Sequence, residues 1–170
     1  RLESLNTFAR RIASSLESDE LFSLIGAAIR SAIKADTYFL GTTGDGETLS
    51  LRLLFDDNQD YPPIDLPIEG TLSGWVLRHE RSLFIPDLRT DVDLEGVKIV
   101  IAGKEKTSLC WMGVPMRSKH VNGLISVASY RPNAFDRTDM DLLENLCQHA
   151  AFALENAHHH TEVELQARLD

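Results

Sequence analysis

Two apolar runs in the second half of the chain set the strongest limit on how it can fold. Residues 109–116 and 121–129 carry no charged side chain, and only the polar stretch 117–120 separates them. Runs of this length bounded by a turn read as paired strands covered on both faces. By the two-residue period of a strand, Leu124, Ser126 and Ala128 share one face, and Ile125 and Val127 share the other. Branched, bulkier residues suit packing against helices. The Ser126 face is therefore expected to line a pocket, with Ser126 as its polar member. A hydroxyl bonded to nearby backbone is the alternative reading of that serine. The central sheet should carry helices on one side and a lid or pocket on the other.

The segments around this pair fit that plan. Leu2, Leu5, Ala9, Ile12 and Leu16 recur at spacings of three and four, which predicts a first helix with one apolar stripe. Asp19 suits the N-cap of a second helix, with Leu21, Ile25, Ala28 and Ala32 on its buried side. Tyr38, Phe39 and Leu40 begin a strand. Gly44-Asp45-Gly46 signals a hairpin, and residues 49–55 form the returning strand. Residues 56–63 read as a polar loop. Gly70 and Thr71 open a short helix containing Leu72, Trp75, Val76 and Leu77. Residues 82–85 form a brief strand stopped by Pro86. The stretch 87–107 is the least regular, with one helical turn expected over 97–102.

The last helix has the clearest start. Asp136 suits its N-cap, Asp139 sits three residues on, and Phe135 and Met140 can close a hydrophobic staple. Leu143, Leu146, Ala150, Ala153 and Ala157 then recur at heptad spacing. The helix is expected to run to about Arg168. Its overhang past Asn156 carries Val163, Leu165 and Leu169 with no domain surface left to cover. A second copy is the natural cover, so a homodimer through the terminal helices is expected.

Length and charge narrow the function. A chain of 170 residues forms about one domain, large enough for its own core. A net charge of −9 argues against direct binding of nucleic acid or an anionic membrane. Two cysteines do not make a disulfide framework, which favours a reducing, cytoplasmic setting. No apolar run approaches the ~20 residues needed to cross a bilayer. Both ends fall inside amphipathic patterns, so they read as cuts in a longer protein. There is no P-loop, G-x-S-x-G or H-E-x-x-H pattern.

Ordered segments then carry a family resemblance. They are Ile68-Glu69-Gly70-Thr71-Leu72-Ser73-Gly74-Trp75-Val76, then Phe84-Ile85-Pro86-Asp87-Leu88. Next come Val114-Pro115-Met116 and Gly123-Leu124-Ile125-Ser126-Val127. Phe135 with Asp139, and then Ala153-Leu154-Glu155-Asn156-Ala157, complete the series. In order and spacing the chain resembles a GAF domain over roughly residues 5–157. The resemblance implies an α+β fold: a six-stranded antiparallel sheet, terminal helices on one face, and short helices with a variable loop over a pocket on the other. It implies a GAF domain over 1–157 and, over 158–170, the start of a helical linker to an output domain. Ser108-Leu109-Cys110 and the ending Asn156-Ala157 with Thr161-Glu162-Val163 look most like one subgroup. That subgroup is the regulatory GAF domain of sigma-54-dependent transcription activators, of the formate hydrogenlyase activator type.

Specialised GAF activities each demand residues that can be checked here. The cyclic-nucleotide subset carries Asn-Lys after its last strand, then Phe, then Asp-Glu. Phe135 and Asp139 remain, but Tyr130-Arg131 replaces Asn-Lys and Met140 replaces Glu. Bilin attachment needs a loop cysteine, and 87–107 has neither cysteine nor histidine. Free methionine sulfoxide reductases need an exposed thiolate in a pocket loop, whereas Cys110 falls in a strand and Cys147 on a helix's apolar side. His158, His159 and His160 point in different directions on a helix and read as solvated surface, so no metal site is expected.

The expected function is thus non-catalytic sensing. An unidentified small-molecule effector binds beneath the 87–107 loop and shifts the terminal helices, which biases an output domain in the same chain. No cofactor is expected. The pocket candidates are Phe55, Trp75, Ile99, Lys104, Trp111 and Ser126. Cations at Arg78, Arg89, Lys98, Lys104 and Lys106 hint at an anionic ligand. A dimerisation spacer whose pocket is filled by Phe55, Trp75, Trp111 and Met112 is the alternative, and a thiol redox enzyme is the third reading.

Overall fold

A computed structural model describes residues 18–90, 92–98 and 106–169. The Leu2–Leu16 stripe and residues 99–102 of the expected helical turn lie outside that range. Helix α1 (Ser18–Ala32) buries Leu21, Ile25 and Ile29 at a spacing of four. Asp19 sits within the first turn instead of capping it. Ile29 takes the core position expected of Ala28, which is only partly buried.

Seven strands follow: β1 (Thr37–Thr42), β2 (Thr48–Asp56), β3 (Gln59–Tyr61), β4 (Ile64–Pro67), β5 (Leu83–Ile85), β6 (Cys110–Arg117) and β7 (Asn122–Ser129). They form one antiparallel sheet in the order β3-β2-β1-β7-β6-β5, with β4 also paired to β2. The expected loop at 56–63 in fact holds β3. Asp57 and Asn58, at φ 49° and 61°, turn the chain back tightly onto β2. Asp and Asn tolerate this left-handed region better than most residues. All three β3 residues are exposed, so no alternation marked the strand in the sequence.

The two faces of the sheet are packed differently. On one, Ile125 and Val127 join Tyr38 and Leu40 against α1 and α3 (Arg137–Leu169). On the other, Leu124 and Ala128 join Leu51, Trp111 and Val76, the last on helix α2 (Leu72–His79). The face assignment expected for β7 therefore holds. Close approach at the strand pair β1–β7 depends on Gly123, where a side chain would place its Cβ 2.1 Å from the Gly41 carbonyl oxygen.

Helix α3 starts as expected. The Asp139 amide donates to Asp136 Oδ1 at 3.0 Å, and the Asp136 amide donates back to Asp139 Oδ2 at 2.9 Å. Such a reciprocal cap contributes about 1 kcal/mol. Phe135 and Met140 are both buried beside it. Leu143, Leu146, Ala150, Ala153 and Ala157 form its buried stripe. Beyond Ala157 the helix continues to Leu169, with Val163, Leu165 and Leu169 exposed.

Candidate functional site

Strand register gives the sheet two distinct ends. Thr37 pairs with Ala128 at one end of β1, and Thr42 with Gly123 at the other. The first end is tied by polar side chains. Asp36 Oδ2 accepts from the Ser129 hydroxyl at 3.0 Å and the Tyr130 amide at 2.8 Å. The Tyr130 hydroxyl donates to Asp56 Oδ1. Burial, then the bond to Asp56, pushes the Tyr130 phenol well above its ordinary range. Lys106 Nζ pairs with Asp57 at 2.8 Å at the same end.

The second end is open. A cleft of about 760 Å³ lies there between the β1–β2 hairpin, the start of α2 and the start of β7. Ile68 and Trp75 supply apolar wall, and Thr71, Arg78 and Asn122 supply polar groups. The hairpin edge is firm: the Glu47 and Thr48 amides donate to Asp45 Oδ1 at 2.8 and 2.9 Å. The Thr48 and Glu47 bonds hold the Asp45 carboxyl below its usual range. Thr71 caps α2, its Oγ1 accepting from the Gly74 amide at 3.0 Å. Asn122 Oδ1 is the buried side-chain polar atom without a hydrogen-bond partner among the described residues.

The long connection from β5 to β6 spans both ends. It leaves at the tied end, where the Asn133 amide donates to the Pro86 carbonyl and the Leu88 amide to the Leu109 carbonyl. Its middle reaches the cleft: the Lys98 amide donates to the Gly70 carbonyl at 3.0 Å. Arg78 Nη2 donates to the Glu95 carbonyl at 2.8 Å. Lys106, where the described residues resume, pairs with Asp57 at the tied end. Among the described residues, 92–98 therefore form a strap pinned at the cleft rim, while 86–88 and 106–109 are held at the tied end.

The four expected pocket residues that are described, Phe55, Trp75, Trp111 and Ser126, do not converge on one place. Trp75 lines the cleft and stacks on His79 at 4.3 Å. Trp111 and Ser126 lie deeper on the same face, 7% and 2% exposed. The Trp111 ring folds back over Gly113, where a Cβ would meet it at 2.3 Å, and Gly113 is the register partner of Ser126. Phe55 is on the opposite face, stacked on Tyr38 at 4.8 Å within the helix-side core. Its strand position pairs with Tyr38, and that pairing carries it away from the tryptophans. Ile99 and Lys104 lie outside the described residues. Thr43, Gly70 and Asn122 line the cleft and were not among the pocket candidates read from the sequence.

The cations expected to attract an anion are mostly engaged already. Arg89 makes two bonds to the Asp87 carboxylate, Lys106 pairs with Asp57, and Arg78 holds a loop carbonyl. Arg78 alone among these three also lines the cleft. Both cysteines are buried in the helix-side core, and burial pushes the Cys147 thiol far up. Phe135 and Asp139 are absorbed by the staple and cap of α3. His158 stacks on His120 at 4.2 Å. No group of three or more potential metal ligands occurs among the described residues.

With this geometry in place, relatives can be named. The sequence pattern of the GAF domain matches residues 15–155, and the chain belongs to that family. No curated protein matches the chain by sequence. Among solved structures, the GAF domain of an Acinetobacter phosphoenolpyruvate-protein phosphotransferase is similar, with a TM-score of 0.73 at 18% identity over 95% of this chain and 96% of that one. The GAF domain of a Bacillus halodurans two-component sensor histidine kinase matches with a TM-score of 0.65 at 17% identity, over 86% and 99%. The free methionine-R-sulfoxide reductase of Neisseria meningitidis, in complex with its substrate, matches with a TM-score of 0.68 at 16% identity, over 92% and 89%. At these identities the likeness establishes the fold alone.

Proposed function

We propose that this GAF domain is a non-catalytic small-molecule sensor in a bacterial cytoplasmic signalling or transcription-regulatory protein. The observation that carries the reading is the open cleft, which combines a tryptophan wall, an arginine and an orphan amide oxygen beneath a strap pinned at its rim. Its volume falls within the ~300–1,000 Å³ typical of ligand sites. A carboxylate or other small anion suits it, because Arg78 can exchange the Glu95 carbonyl for a charged acceptor. The burial of both thiols supports a binding role over sulfoxide reduction, since that chemistry needs an accessible thiolate.

The test is a thermal-shift screen with an anion-rich metabolite panel. A ligand at ~100 times its Kd stabilises by about 2.7 kcal/mol, which raises Tm by roughly 5–10 °C for a domain of this size. If no compound shifts Tm, the spacer reading takes over. That reading is favoured by one observation, the Trp111 ring already filling the space over Gly113.

The same proposal includes a homodimer through the terminal helices, leading to paired output domains of the sigma-54 activator type. Val163, Leu165 and Leu169, at 64%, 53% and 81% exposed, and Phe152 at 63%, are the apolar surface that supports it. Sedimentation of residues 1–170 against 1–157 should show the longer fragment self-associating more strongly. Equal behaviour of the two would remove the overhang as the dimer element.

A further inference from the structure

The turn between β6 and β7 grips α3 at the place where that helix leaves the domain. Glu155 is the grip. Its Oε1 accepts from the Ser118 hydroxyl at 2.6 Å and from the His120 amide at 2.7 Å. Its Oε2 lies 2.7 Å from His120 Nδ1. The turn itself is closed by the Ser118 amide donating to the Val121 carbonyl. One turn further along the helix, His158 stacks on the other side of His120. Ala157, between them in sequence, is the last residue of the buried stripe.

The same turn is the wall of the cleft. Two residues after His120 comes Asn122, whose carbonyl accepts from the Thr43 amide at 2.8 Å. Thr43 and Asn122 line the 760 Å³ cleft on one side of the sheet. They also line a second cavity of about 430 Å³ on the helix side, together with His120, Leu154 and His158. The end of β7 is thus reached from both faces. It holds the orphan Asn122 oxygen toward the cleft end and the Glu155 contacts toward the helix.

We propose that Glu155, Ser118 and His120 form a latch through which occupation of the cleft is transmitted to the exit of α3. The inference rests on the cleft being the sensing site. A ligand that moves Asn122 moves the backbone carrying the His120 amide, and that amide bonds directly to the helix. The latch is a small set of charge-assisted hydrogen bonds at the domain surface, outside the buried stripe. It can therefore open without unfolding the core stripe beneath it.

The test needs no natural ligand. Glu47, on the cleft rim, is changed to cysteine and modified with a benzyl methanethiosulfonate reagent, which places a benzyl group in the cleft; the two native thiols are buried. Amide hydrogen exchange is then read in the turn at 118–121 and in α3 at 154–158, with Glu155 present and in Glu155→Ala. Glu155→Ala alone should speed exchange of the His120 amide about tenfold while Val127 in mid-strand is unchanged. The adduct should alter exchange in both the turn and the helix. In Glu155→Ala it should still alter the turn but no longer the helix. An adduct effect on the helix that survives Glu155→Ala overturns the latch. So does an adduct that changes neither segment. The metabolite screen is independent of these variants, so an empty screen with a working latch would indict the sensing reading alone.

Discussion

The two ends of the sheet differ in how completely their polar groups are used. At the Tyr130 end, Asp36, Asp56, Asp57, Ser129, Tyr130 and Lys106 satisfy one another across segments more than 45 residues apart. At the Asn122 end a cleft opens and a buried amide oxygen has no partner. The part-buried bonds of Asp36 and Tyr130 fix one arrangement, because breaking either leaves a partly desolvated group unpaired. An unsatisfied acceptor carries no such penalty for moving and gains from a ligand that donates to it. The contrast within a single sheet is between a polar network that is satisfied at one end and a buried acceptor that is not at the other.

The largest effect should follow from breaking the tied end. Tyr130→Phe keeps the ring and deletes the bond to Asp56, leaving a half-buried carboxylate short of a donor. We expect a loss of about 1–2 kcal/mol in urea unfolding. The matched change at the open end, Asn122→Ala, removes an acceptor with no partner among the described residues, so it should cost no more than about 0.5 kcal/mol. Equal losses at the two ends would erase the distinction.

A subtler effect concerns pH at the open end. The Ser118 hydroxyl, then the His120 amide and side chain, pull the Glu155 carboxyl from an ordinary 4.5 down to about 2. A depressed folded value means that Glu155 stabilises the fold fully above the ordinary value. That contribution is lost as pH falls from there toward about 2. The urea midpoints of the wild type and Glu155→Ala should therefore differ near neutrality and converge by the acid limit. A gap that stays constant with pH would mean the charge of Glu155 is not what holds the turn.

Much of this architecture was legible because it depends on local period and chemistry. The uncharged runs at 109–116 and 121–129 became β6 and β7, and the alternation along β7 sorted Leu124 and Ala128 from Ile125 and Val127. Asp136 and Asp139 announced the α3 cap, since both bonds form within four residues. Strand β3 was missed because an exposed edge strand needs no hydrophobic pattern. Phe55 was misplaced because which face of β2 meets the helices is set by its register with β1.

The site was much less readable, for a related reason. Its parts come from the β1–β2 hairpin, the α2 start, the strap and the β7 start, which adjoin only after the sheet has paired. Sequence alone determined strands β1, β2, β5, β6 and β7, the capped helix and the family, because periodicity and capping act between residues a few positions apart. Tertiary structure decided that Arg78 would meet Glu95, that Glu155 would meet His120, and that the Asn122 amide oxygen would have no partner among the described residues. Those outcomes depend on side chains brought together from distant parts of the chain, and no local pattern encodes such distances.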